Sequence, residues 1–172
     1  SLFKYLVLSF FMLGIDYATK LWAISALKGK HYWPESGELL RFDYAENYHM
    51  AFSLSFLDMQ WVNIMAIIAS GIVVYYLWLY KDTHVLPSIG MSLIFAGAMG
   101  NLGERFIRGY VVDFISADWP DWLYFHRWPT FNIADSCVTV GITLFLIYTL
   151  FYEGKIVLNE GASEAETLRE NE

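Results

Sequence analysis

"FNIADSCVTVGITLFLIYTLFY", residues Phe131 to Tyr152, decides how this chain is read. From Ile133 onward the stretch is apolar and long enough to cross a bilayer, whose hydrocarbon core takes roughly 20 residues of helix. Yet it opens on an amide, Asn132, with a carboxylate, Asp135, three residues later. Asn132 suits an N-cap and Asp135 the N3 position. That is close to a capping box, with the carboxylate at the positive end of the helix dipole. A cap explains how the helix starts. It leaves open whether Asp135 also does chemistry.

Three other stretches share the apolar character: about 3–27, interrupted by Asp16 and Lys20; 61–80, without a charge; and about 86–102, rich in Gly and Ala. With 133–152 they predict a mainly α membrane protein of four spans. Composition agrees, since 56% hydrophobic and only 17% charged residues are too apolar for an ordinary soluble domain. Ala96 and Gly100 form a small-xxx-small pair suited to close helix approach. Trp22, Trp61 and Trp78 fall toward span ends, where amphipathic rings favour the interface. Residues 1–158 read as one transmembrane domain. Residues 159–172, with five Glu against one Arg, read as an acidic, disordered tail. Much of the net charge of −7 sits in that tail and says little about partners, and no basic patch points to nucleic acid.

The connections are unequal. The one between the second and third spans is short, whereas the first and third are long and must share a side. "ELLRFDYAEN" (38–47) alternates and predicts a strand within a β-like region near 38–54; "YVVDFI" (110–115) predicts another near 110–116. "DWPDWLYFHRWP" (118–129) predicts an aromatic loop resting in the headgroup layer. Elaboration on one face suggests that the face does the work. Counting Lys and Arg would put that face inside, although long loops count for less. A cleaved leader ending at "AISA" (23–26) is a rival for the first segment, but Asp16 and Lys20 argue against it.

Ionisable groups inside spans are costly and by default point to function. Asp16 and Lys20, four apart, share a helix face and can pair, as scaffold or as part of a site. "GNLGERFIRGYVVDF" (100–114) closes the third span. There Asn101 and Arg105, and Glu104 and Arg108, stand one turn apart, and both arginines read as engaged in internal pairs. Gly109 is a plausible helix stop, and Asp113 falls inside the following strand. Asp113 and Asp135 flank one loop and so share a membrane depth, where Asn101, Arg105 and Asn132 converge as well. Such a cluster exceeds what one cap requires. His31, His49, His84 and His126 are scattered without ligand spacing, so no metal is expected. No nucleophile elbow or Gly-rich phosphate loop occurs, so no cofactor is expected. Cys137 reads as a packing residue. Two rival readings remain: a proton- or ion-coupled carrier using Asp16, Asp113 and Asp135 as a relay, and a non-enzymatic adaptor.

Together these stretches resemble the lipoprotein signal peptidases, the bacterial signal peptidase II family of membrane aspartyl proteases. "DYATK" (16–20) is similar to the family's D-x-x-x-K. "GNLGERFIRGYVVDF" is similar to its GNL-x-DR-x(3)-G-x-V-x-DF, and "FNIADSCVTVG" to its FN-x-AD-x(2)-hydrophobic-x(2)-G. "NYHMAF" (47–52) keeps the Asn and Phe of N-x-G-x-x-F but has His49 for Gly, and Glu104 stands for the family's Asp. The resemblance implies Asp113 and Asp135 as the catalytic pair. It implies supporting roles for Asp16, Lys20, Asn47, Asn101, Arg105 and Asn132. It also implies a prolipoprotein substrate cut before its diacylglyceryl-modified cysteine, and inhibition by globomycin-type cyclic peptides. The expected setting is the inner membrane of a bacterium, with the elaborated face periplasmic, the termini cytoplasmic, lipid around the spans and the chain a monomer.

Overall fold

The computed structural model describes residues 1–34, 39–48, 59–118 and 127–153. The chain runs α1 (Leu2–Ala26), β1 (Leu40–Asn47), α2 (Met59–Tyr80), α3 (Val85–Arg108), β2 (Val111–Ala117) and α4 (Ile133–Tyr148), which ends in a π-helical turn, Thr149–Glu153. Four helical stretches are long and apolar enough to cross a membrane: Leu2–Ala26, Asn63–Tyr80, Val85–Arg108 and Ile133–Tyr152. Large apolar side chains such as Phe10, Phe11, Ile68 and Leu146 lie exposed along them, as a lipid-facing surface requires.

Tyr5, Leu77 and Met91 pack together, so the start of α1, the end of α2 and the start of α3 share one end of the bundle. At the other end Ala23 and Leu27 pack on Val112 and Phe114 of the sheet, with Phe42, Tyr44 and Ile133 around them. Trp22 meets Phe42 and Phe114 edge-on there. Burying Val112 and Phe114 contributes about 1.5–3 kcal/mol each and seats the sheet on the helix ends. The two strands pair antiparallel, Leu40 opposite Ala117 and Asn47 opposite Val111, with a register shift between Phe42 and Ala45. Both predicted strands are present. The sheet lies on the face carrying the long connections.

The third helix runs about two turns beyond the apolar stretch that predicted it. Arg108 and Glu104 pair at 3.4 Å across one turn, and Gly109, at φ 80°, caps the end with its N–H on the Arg105 carbonyl. Further small residues join the expected Ala96, which is buried, and Gly100 in letting helices approach closely. Gly90 and Gly141 face one another across α3 and α4, and Gly97 faces the Ala134 carbonyl; a Cβ at any of the three would collide with backbone. Gly100 instead makes room for the Asp16 carboxylate. His49, the middle of the aromatic loop (119–126) and the acidic tail (159–172) lie outside the described residues.

Candidate active site

The site forms where β2 meets the start of α4. Phe131 pairs with β2: its N–H donates to the Ile115 carbonyl at 3.0 Å, and its carbonyl accepts from Phe114 and Ile115 N–H at 3.0 and 2.8 Å. This pairing delivers Asn132 to Asp113. Asn132 is fully buried, and its Nδ2 donates to Asp113 Oδ1 at 2.7 Å, Asn101 Oδ1 at 3.2 Å and the Val112 carbonyl at 3.4 Å. Its Oδ1 accepts from the Asp135 N–H at 2.9 Å, while Asp135 Oδ2 accepts from the Asn132 N–H at 3.2 Å. The capping box expected from the sequence is therefore complete. One amide thus caps the helix and bridges the two aspartates.

Each carboxylate has a second amide. Asn47, at the end of β1, donates to Asp113 Oδ2 at 2.9 Å, and Asn101 donates to Asp135 Oδ1 at 2.8 Å. Behind Asn101 lies Lys20, whose Nζ donates to Asn101 Oδ1 at 2.9 Å and pairs with Asp16 Oδ2 at 2.9 Å and Glu104 Oε2 at 3.0 Å. Asp16 and Lys20 are each only 2% exposed, so the pair is viable only because every partner is present. Asp16 Oδ1 accepts from the Ala134 N–H at 2.8 Å, tying α1 to the first turn of α4.

All eight residues singled out from the sequence therefore meet in one region. Two details differ. The sequence pattern predicts an internal pair for Arg105, but its Nε is buried without a hydrogen-bond partner among the described residues. Its guanidinium instead lies within electrostatic reach of Asp135, Asp113 and Glu104. Glu104, which the sequence suggests only as a partner for arginine, also accepts from the Val112 N–H at 3.1 Å and so links Lys20 to the strand carrying Asp113. The buried lysine was the available signal: with Asp16 and Glu104 both on its own face of the bundle, it needs more than one acceptor. Burial, with the Asp135 charge adding to it against the Asn47 and Asn132 hydrogen bonds, pushes Asp113 from the ordinary 3.8 up to about 6.

Four apolar, membrane-length helices define the class as a multi-pass membrane protein, with two aspartates joined through Asn132 at one end. The family model for Signal peptidase (SPase) II matches residues 8–151. The chain is 36% identical over 152 residues to the lipoprotein signal peptidase of Psychromonas ingrahamii, covering 86% of this chain and 85% of that one. It is 37% identical over 145 residues to that of Clostridium novyi, covering 82% and 93%. A bacterial membrane enzyme solved by the in meso method superposes with a TM-score of 0.72 at 29% identity, over 87% of this chain and 94% of that one. The chain belongs to the signal peptidase II family, whose members are peptidases that remove signal peptides from prolipoproteins. The carrier reading is not favoured.

Proposed function

We propose that Asp113 and Asp135 are the catalytic pair and cut the peptide bond before a diacylglyceryl-modified cysteine. The observation that carries this reading is Asn132, whose side-chain amide donates to the Asp113 carboxylate and whose backbone N–H donates to the Asp135 carboxylate. Two carboxylates whose charges act on one another share one proton, because ionising both is costly. Asp113 is the natural holder, being pushed up by burial. Asp135 stands at the positive end of α4 and takes the base role. It accepts a proton from water as the water oxygen bonds to the scissile carbonyl carbon, and Asp113 gives its proton to the carbonyl oxygen. The resulting gem-diol collapses: the C–N bond breaks, the leaving amine takes the proton from Asp135, and Asp113 recovers one from the diol. No covalent enzyme intermediate is required.

Asn47, Asn101 and Asn132 hold the carboxylates rather than standing free for substrate backbone. Arg105 is the group better placed to meet a substrate carbonyl, since its Nε has no partner among the described residues. Lateral entry of the signal helix from lipid and a pair at the membrane edge, where water is available, fit a reaction that consumes water. We further infer a bacterial inner membrane, the sheet face periplasmic and the termini cytoplasmic, residues 1–158 as the working domain, a monomeric enzyme, and globomycin-type cyclic peptides as inhibitors.

The test is a gel-shift assay on a purified lipidated prolipoprotein. The unmodified enzyme is expected to shorten it. Asp113→Asn and Asp135→Asn are expected to fold, bind the substrate and leave it uncut. Cleavage by both variants would refute the assignment.

A further inference from the structure

On the side of the network away from Asn101, α1 and α3 part to form a cavity of about 500 Å³. Phe10, Leu13, Met99 and Ile107 give it apolar walls, Asp16, Lys20 and Glu104 lie along its back, and Arg108 stands at one end. Gly14 and Gly103 also line it. A Cβ at either position would meet no atom within 4 Å, in contrast to Gly90, Gly97 and Gly141. Both sit inside helices, where glycine is disfavoured relative to alanine. No protein neighbour among the described residues therefore accounts for them.

The dimensions point to an occupant. From Phe10 to Lys20 on α1 and from Met99 to Arg108 on α3 the groove runs roughly 14 Å at 1.5 Å per residue, about the depth of one leaflet of a ~30 Å hydrocarbon core. Its Arg108 end is the sheet side, where headgroups begin. The Arg108 guanidinium has only a long 3.4 Å contact from Nε to Glu104 Oε1 among the described residues, and arginine is well suited to phosphate.

We propose that this groove holds one acyl chain of a phospholipid from the leaflet on the sheet side, with the lipid phosphate on Arg108. The chain seals the back of the Asp16–Lys20–Glu104 network against water. The proposal rests on the membrane spans and not on the assignment of the catalytic pair.

The test uses the full chain in nanodiscs of phosphatidylethanolamine and phosphatidylglycerol, transferred to detergent, with retained lipid counted by native mass spectrometry. The unmodified protein is expected to keep a phospholipid. Gly14→Leu combined with Gly103→Leu fills the groove, takes away the space and van der Waals contacts the chain would use, and is expected to abolish phospholipid retention. The same variant is expected to melt no lower than its parent, since the Cβ positions are open, the groove has room for the rest of each side chain and leucine favours the helix over glycine. Arg108→Gln leaves the groove open and is expected to lower retention by about tenfold, which keeps the test decisive if the leucines prevent folding. Equal retention in all three proteins, or none in the unmodified one, overturns the proposal. So does a leucine variant that keeps its phospholipid but needs more lipidated substrate for half-maximal cleavage, because the groove would then serve the substrate's acyl chain.

Discussion

Asn132 has two tasks that separate at its side-chain atoms. The oxygen caps α4, and the nitrogen ties Asp113 to Asn101. A serine there keeps an oxygen for the Asp135 N–H but removes the nitrogen. Asn132→Ser is therefore expected to lower kcat by about threefold to tenfold, the worth of a hydrogen bond to a neutral carboxyl. Asn132→Ala, which loses the cap as well, is expected to unfold at lower temperature than Asn132→Ser. Steady-state cleavage and thermal unfolding of the two variants check this. Equal kcat for Asn132→Ser and the parent would reduce Asn132 to a cap.

Among the elements, α3 and α4 matter most, because their spacing sets where Asp135 sits. Gly97 lets α3 lie directly against the Ala134 backbone, one residue from Asp135. Gly97→Val must push the helices apart and is expected to cost about 1–3 kcal/mol of stability while also cutting activity, measured by denaturant unfolding and cleavage in parallel. Much of this architecture was legible in the sequence. Four apolar runs predicted the spans, and Asn132 with Asp135 predicted the start of α4. The end of α3 was legible too: Glu104 and Arg108 pair across one turn and Gly109 stops the helix, as their spacing predicted. The Arg105 pairing failed. Sequence spacing shows who shares a helix face, but the amide of Asn101, one turn from Arg105, is taken by Lys20, Asn132 and Asp135. Gly100 was legible as a packing residue, but the part played by Gly90, Gly97 and Gly141 depends on how α3 and α4 are rotated against each other.

For the whole molecule, two properties matter: which way it faces, and why so many charges are buried together. Cys137 is the single cysteine and is buried, so introduced thiols report cleanly on sidedness. Lys28→Cys, on the sheet side, is expected to react with an impermeant reagent from outside the cell, and Asp82→Cys, in the short turn, only after the membrane is opened. The reverse pattern would invert the proposed topology. As for the charges, Lys20 and Arg105 lie among the carboxyls of Asp16, Glu104, Asp113 and Asp135, so a proton shared by the aspartate pair lowers the excess negative charge in a poorly solvated place. That proton is most directly seen by infrared titration of the protonated carboxyl stretch. The expected band has a component that fades as pH rises through about 6; that component is missing in Asp113→Asn, and it fades at lower pH in Asp135→Asn, where the neighbouring charge is gone. A midpoint unmoved by Asp135→Asn would show two independent acids and contradict the joint role assigned to them.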